Sequence, residues 1–555
     1  MKKIYILTAV LYSIPLMMYG QGETDALRFS QLDMRGTARY MSMAGAFGAL
    51  GGDITTLSQN PAGIGVYRSS EIVTTFGFDN FSNNVSATGG KVNSSDFRFA
   101  FNNIGAIGTI NTGNNSGLVN FNFGFAYNRL KTFNRNYRAK FDNLQTSLTN
   151  YIANRTGGIP EQDLILTDNY DPYNSVSWLP VLAYESSLIS PLPVGEDGNQ
   201  QYFGLFNGPN TIGYYPEDPD SKGYADLYVR EKGRIDEYSL NLGGNISNKV
   251  YFGLGVGIVD IDYTQKTEYI ENITNPEYTG NGIAQKNGDI NLANYLQTRG
   301  TGFNFKLGLI ARLTDFWRLG FAFHTPTVYT MRDEYWASVN NSAILEQSNP
   351  GEADSPFIPI YRTTPDDHVY YTDYKYNSPW RIMASTAFII GKKGIVSFDY
   401  EYTGYNKMKM SDEDGVALYG DYGYTVNDLI REDFKAGHTF KIGGEYRLTP
   451  QLSLRAGYAN QLSPVKATIL DMNTEVITAG TQPMYNLNRS TQYFTAGAGY
   501  RFGQVYIDLA YINKLHKEDV FPYSPTFIGD KADLPSVAKL TGHTNSLMLT
   551  LGYKF

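Results

Sequence analysis

One pattern restricts what this chain can become. From about residue 70 to the carboxyl terminus, stretches of roughly ten residues place apolar side chains on one parity and small, polar or charged ones on the other. Val250, Phe252, Leu254, Val256 and Ile258 share a parity, against Gly253, Gly255 and Gly257. Val119, Phe121, Phe123, Phe125 and Tyr127 alternate with Asn120, Asn122, Gly124, Ala126 and Asn128. Leu547, Leu549, Leu551, Tyr553 and Phe555 alternate with Met548, Thr550, Gly552 and Lys554. Successive side chains of a strand point to opposite faces, so each stretch has one greasy face and one hydrophilic face.

A soluble sandwich alternates too, but two features favour a membrane barrel. The hydrophilic face carries ionisable groups in mid-strand: Lys306, Asp399, Glu401, Lys441, Glu445, Arg455 and Asp508. The connections also alternate between short and long. Tight turns at Ser247-Asn248, Thr314-Asp315, Lys392-Lys393, Thr449-Pro450 and Gly503-Gln504 join strand pairs near 235–260, 299–325, 380–403, 436–459 and 492–513. Long segments rich in Asn, Asp, Gly and Tyr separate the pairs, the longest spanning about 131–234. Strands near 70–80, 95–108, 117–130 and 541–555 bring the total to about 14. The expected fold is all-β: a transmembrane antiparallel β-barrel over 70–555, with both ends of the strand array in the periplasm and long extracellular loops. Backbone groups in lipid must all be paired, and a closed sheet is how strands achieve that.

Composition excludes several alternatives. Aromatic residues make up 14% and charged residues only 18%, whereas disorder needs few aromatics and much charge. A net charge of -8 offers no basic footprint for nucleic acid. The absence of Cys removes disulfides, thiolate metal sites, cysteine nucleophiles and an amino-terminal lipid anchor. Lys2-Lys3, the apolar run from Ile4 to Met18 and a small Gly20 before Gln21 read as a secretory signal peptide, residues 1–20. Its removal takes two lysines with it and leaves a net charge of -10, in a protein exported from a bacterial cytoplasm.

Residues 21–69 have a different character, rich in Gly, Ala, Ser and Met and without alternation. A barrel of about 14 strands is too wide for its own side chains to fill, so this region is expected to be a hatch, or plug, in the lumen. Proline fixes its own φ and drives the preceding residue out of the helical region, so Asn60-Pro61 should stop the hatch and aim the chain into the wall. The Asn60 amide is placed to hold that turn.

The stretch from Arg35 to Asp53, followed by Ser58-Gln-Asn-Pro-Ala-Gly63, resembles the plug region of the FadL/OmpP1/TodX family of outer-membrane transporters for hydrophobic compounds. The family's Asn-Pro-Ala falls at Asn60, Pro61 and Ala62, and its Gly-Ala step at Gly45 and Ala46. The motif covers about 30 residues, while the layout of 14 strands behind an amino-terminal hatch covers nearly the whole chain. The opening Gln21 to Ser30 and the high Tyr content resemble the family's Bacteroidetes-type branch, part of which carries the label of haemin receptor. The resemblance implies a monomer of the bacterial outer membrane, set among its lipid and lipopolysaccharide, with no cofactor. A hydrophobic ligand such as a long-chain fatty acid would be caught in a greasy extracellular groove and pass to a pocket inside the barrel. It would leave past a rearranged hatch, sideways through the wall and without an energy source.

Candidate groove residues are Trp178, Leu179, Val181 and Leu182, with Leu188 and Ile189, all in the longest loop. Packing as a lid is the alternative for them. In the lumen, Asp399, Glu401, Glu445 and Asp508 roughly balance Lys306, Lys441, Arg447 and Arg455. Such charges pair with one another or with the hatch, unless one cation is left to meet a ligand carboxylate. Phe555, with Tyr553 and Leu551 in register, resembles the terminal strand read by outer-membrane assembly machinery.

Two rivals belong to other classes. One is a surface-exposed adhesin-like or haemin-binding barrel without transport. The other, a hydrolase, is disfavoured because His324, His368, His438, His516 and His543 are scattered. The dense Asp366-Asp367-His368 cluster falls in a polar loop and is expected to be neither catalytic nor metal-binding. Ser411-Asp-Glu-Asp-Gly415 lacks the distal Glu of a calcium loop, and Gly253-x-Gly255-x-Gly257 lacks the third glycine of a dinucleotide fingerprint. The chain reads as a transporter and not as an enzyme.

Overall fold

Chain-order pairing of antiparallel strands organises the molecule, and the first strand closes onto the last. The computed structural model describes residues 21–195, 198–207, 221–274, 279–280, 283–284, 288–348, 356–365, 370–391, 393–418, 424–528 and 531–555. The leader 1–20, the Asp366-Asp367-His368 cluster and Lys392 of one expected turn lie outside them. The barrel has 14 strands. They are β1 (Glu71–Ala87), β2 (Gly90–Asn111), β3 (Leu118–Thr132), β4 (Lys222–Ile246), β5 (Val250–Thr274) and β6 (Gly288–Arg312). In β7, Trp317–His324 resumes as Val328–Gln347, and in β8, Tyr370–Asn377 resumes as Arg381–Ile390. The remainder are β9 (Gly394–Thr403), β10 (Gly437–Arg447), β11 (Leu452–Leu462), β12 (Tyr485–Phe502), β13 (Val505–Phe521) and β14 (Ala538–Lys554). β1 closes on β14 from Glu71↔Lys554 to Ser86↔Lys539.

Along β4, β5 and β6 one parity faces inward throughout, yet the polarity of the two faces exchanges partway up. On β4 the outward residues are Tyr238, Leu240 and Leu242 toward the short turns, but Arg230, Lys232, Arg234 and Asp236 toward the loops. Inward residues change in the opposite sense, from Glu237, Ser239 and Asn241 to Leu227, Val229 and Ile235. β5 and β6 invert at the same level. Tyr238, Ile258, Phe303 and Val328 stand opposite one another as the last outward apolar row, followed by Asp236, Asp260, Thr301 and Thr330. Strands of 25 residues are far longer than the ~9–11 residues that span a bilayer. Their outer halves therefore stand in water, where the greasy face must turn inward. The result is a large apolar core at the loop end, shared by strand interiors and packed loops.

This inversion accounts for the differences from the sequence-based boundaries. The expected strand 70–80 runs to Ala87, and the expected 95–108 begins at Gly90, because the first loop is only Thr88-Gly89 with Gly90 at φ +105°. β4 begins at Lys222, so the longest loop is shorter than 131–234. That loop holds a strand, Arg135–Asp142, paired to β4, then the helices Leu148–Thr156 and Trp178–Glu185. Pro326 and Pro379 lie where β7 and β8 both break; proline cannot donate to a ladder, and Thr327 N bonds Ser378 Oγ there instead (2.8 Å).

The inversion is testable on one face of one strand. Leu254→Arg, at the middle of the lipid-facing stretch of β5, should lower unfolding free energy in lipid vesicles by about 2–4 kcal/mol. Ile270→Arg, outward on the same strand but above the inversion, should change it by no more than about 0.5 kcal/mol, as measured by denaturant titration.

Candidate functional site

The amino-terminal residues line up along the inside of the wall from the loop end to the turn end. α1 (Glu23–Ser30) sits highest: Tyr376 Oη donates to Ala26 O (2.9 Å) and Ile477 N to Glu23 Oε1 (3.1 Å). Below it an extended stretch is fastened by charge. Arg35 bridges to Asp79 of β1 (3.0 Å) and Asp33 to Lys514 of β13. α2 (Ala38–Ser42) is capped by Thr37, and Ala38 N donates to Thr550 of β14 (2.7 Å). α3 (Thr56–Gln59) and the 3-10 turn Pro61–Val66 then lead into β1.

Asn60, Pro61 and Ala62 form a turn with several hydrogen-bond partners. Asn60 Oδ1 accepts from Ala62 N (3.1 Å) while its Nδ2 donates to Gly48 O (2.6 Å). Pro61 and Ala62 are buried against the wall. A Cβ added at Gly308 of β6 would lie 2.1 Å from Asn60 Oδ1, and one at Gly253 of β5 would lie 2.1 Å from Pro61 O. Those wall glycines are footprints of this turn. Gly45, at φ +69°, and the fully buried Ala46 belong to the turns after α2, where Gln59 Nε2 donates to Gly45 O (2.8 Å).

Seven of the eight expected lumen charges are engaged. Lys306 pairs with Glu237; Lys441 pairs with Glu401 (3.0 Å). Arg455 holds Glu445 (2.6 Å) and Asp508, and Arg39 of α2 joins them at Glu445 (3.3 Å). Asp399 instead serves the amino-terminal segment, accepting from Gly48 N (2.9 Å) and Gln59 Nε2 (3.2 Å). Arg447 departs from the expected balance: it is exposed at the turn end of β10, where the lumen meets water. Asp79 and Glu237 went unnoticed, although both stand on the inward parity of their strands. Asp33, Arg35 and Arg39 lie in a segment without alternation, so no parity marks them.

Among the described residues, two cavities of mixed polar and apolar lining lie where the amino-terminal segment meets the wall. One of about 150 Å³ touches Arg28, Lys131, Arg135, Tyr493 and Lys514; another, of about 100 Å³, touches His324, Arg381, Glu401 and Tyr405. Leu32 to Arg35 contributes to both and forms the partition between them. Among lumen cations near the first cavity, Lys131 Nζ donates to the Arg28 carbonyl (2.7 Å).

The candidate groove residues close the loop end. Trp178, Val181, Leu182, Leu188 and Ile189 are buried at 5% exposure or less, and Leu179 packs against the same core. Trp178 meets Tyr173 and Tyr335 edge-on (5.5 and 5.4 Å), and its indole donates to Tyr173 O (2.8 Å). Ala26, Leu27 and Phe29 of α1 belong to this core as well. A further feature lies in the wall. Pairing between β2 and β3 runs from Asn111↔Asn120 to Asn103↔Asn128 and stops. Beyond it β2 pairs with β1 and Arg135–Asp142 pairs with β4, leaving a seam whose lower end is marked by Asn128 Nδ2 bonding Ser58 Oγ (2.7 Å).

Comparison with known proteins agrees with this architecture. A Pseudomonas aeruginosa FadL homologue of known crystal structure superposes with a TM-score of 0.51 at 14% identity, covering 94% of this chain and 99% of that one. The toluene transporter TodX of P. putida gives 0.47 at 12% identity, over 94% and 99% of the two chains. No curated protein matches the sequence. The family model described as outer membrane protein transport protein (OMPP1/FadL/TodX) matches residues 232–546, more than half of the chain. On that match the chain belongs to the OMPP1/FadL/TodX family of outer membrane transport proteins.

Proposed function

We propose that this outer-membrane barrel takes up hydrophobic small molecules passively, long-chain fatty acid-like or otherwise lipophilic, with residues 21–69 as its hatch once the leader 1–20 is removed. The observation that carries this reading is the continuity of one apolar core from the loops to α1, directly above the partition between two cavities. A greasy compound entering among the buried loop residues around Trp178, Val181 and Leu188 would lower its free energy by leaving water. It would then meet α1, whose displacement pulls on Leu32 to Arg35. Breaking the ion pairs of Asp33 and Arg35 joins the cavities, and the seam between β2 and β3 offers a sideways exit to lipid. No step requires an energy source. The exposed, stacked Tyr553 and Phe555 (5.7 Å between ring centroids) are suited to recognition by assembly machinery.

Two measurements bear on this. Native mass spectrometry of the detergent-extracted protein should reveal a co-purifying lipophile, and oleate should bind saturably; neither being seen would count against transport. Gly308→Val should push the Asn60 turn off the wall and raise ion conductance in planar bilayers, as should deletion of 21–63. Asn60→Ala should act in the same direction but more weakly, since a lost cap costs about 0.5–2 kcal/mol. Conductance equal to wild type in barrels that keep their heat-dependent gel shift would reject the hatch.

A further inference from the structure

At the loop end six oxygen-bearing side chains from three separate segments meet. Thr146 and Ser147 precede the helix Leu148–Thr156, Tyr269 and Glu271 face inward on β5, and Tyr523 and Asp533 lie between β13 and β14. Glu271 is fully buried and Asp533 is 2% exposed. One Glu271 oxygen accepts from Leu148 N (3.0 Å), capping that helix. Its Oε1 makes no close hydrogen bond, and neither do both oxygens of Asp533, Thr146 Oγ1 and Tyr269 Oη. Only looser hydrogen-bonding contacts join them, Tyr269 to Glu271 and Tyr523 and Thr146 to Asp533 and Tyr523, while the Glu271 charge acts on Asp533. No Lys or Arg among the described residues figures in the electrostatics of either carboxyl, and Arg155 of the adjacent helix is taken by Glu475 (3.1 Å).

Buried polar atoms are costly unless satisfied, and here five lack a close hydrogen bond in one place. Carboxylate and hydroxyl oxygens without nitrogen or sulfur suit a hard divalent cation, whose charge two carboxylates would neutralise. We propose that Glu271, Asp533 and Thr146 bind one calcium-type cation, which ties the longest loop, the rim of β5 and the last loop together. Burial pushes both carboxyls up to about 7, as expected of acids without a counter-ion; a bound cation would keep them ionised. Among the described residues no group gathers three or more His, Cys, Asp or Glu. With two carboxylates the site belongs at the weak end of calcium binding, with Kd about 10⁻⁴–10⁻³ M.

The test uses the mature chain in detergent, freed of lipopolysaccharide, stripped with EGTA and titrated with CaCl2 at neutral pH by calorimetry. Tryptic cleavage of the loops is followed in parallel. One saturable site is expected, together with slower cleavage when it is filled. Glu271→Gln and Asp533→Asn should each weaken binding about tenfold or more. Should neither carboxamide variant assemble, Thr146→Val takes their place, with weakened binding again expected. The proposal is overturned if wild type shows no saturable site or if the variants bind like wild type. It is overturned equally if Asp533→Asn in EGTA resists trypsin as well as calcium-loaded wild type, which would mean the acids sit there neutral.

Discussion

Hydrocarbon offers a backbone no hydrogen-bond partner, and every other property of this molecule is arranged around that constraint. The ladder joining β1 to β14 closes the cylinder. Closure at this circumference makes an interior that strand side chains cannot fill, and the amino-terminal segment occupies it at the level of the membrane. Higher up, packed loops do so. The wall is shaped for its contents: glycines stand where the Asn60 turn and the backbone near Gly48 press against it, as at Gly253, Gly308 and Gly320. Carboxylates and cations stand where the segment has charges to meet.

The longest strands, β4 to β6, pass through two solvents without changing parity. Near the turns they separate lipid from a polar lumen, and near the loops they separate water from an apolar interior. A strand such as β5 is therefore built from two oppositely wired halves, Val250 to Ile258 and Asp260 to Ile273. This explains how much was legible in the sequence. The membrane halves announce themselves, because Leu254 or Phe305 beside glycine or lysine is a strong signal. The outer halves resemble loop in sequence, because Lys232, Arg234 and Asp236 look like a solvated turn once the expected greasy parity is lost. Loop limits were misplaced for that physical reason, while strand order and closure were not.

Within the site, legibility followed the same division. Lys306, Asp399, Glu401, Lys441, Glu445, Arg455 and Asp508 could be found because parity places them inward. Their partners could not, since pairing across the lumen links residues hundreds of positions apart, as between Arg39 and Glu445. The Asn-Pro-Ala turn was readable from backbone chemistry alone. The apolar loop residues around Trp178 were recognisable as unusual, but only tertiary packing decides whether such a patch is open or covered. Here it is covered, and it shares one core with α1. Any disturbance of the loops is thus mechanically adjacent to the segment that fills the lumen, without a relay of intermediate residues.

The junction at the turn end has a bearing on biogenesis. Phe555 N bonds Ser70 O (3.0 Å), so the place where residues 21–69 enter the wall is also where the last strand meets the first. Seating of that segment and meeting of the terminal strands thus share one hinge point, and a change at Ser70 or Phe555 acts on both.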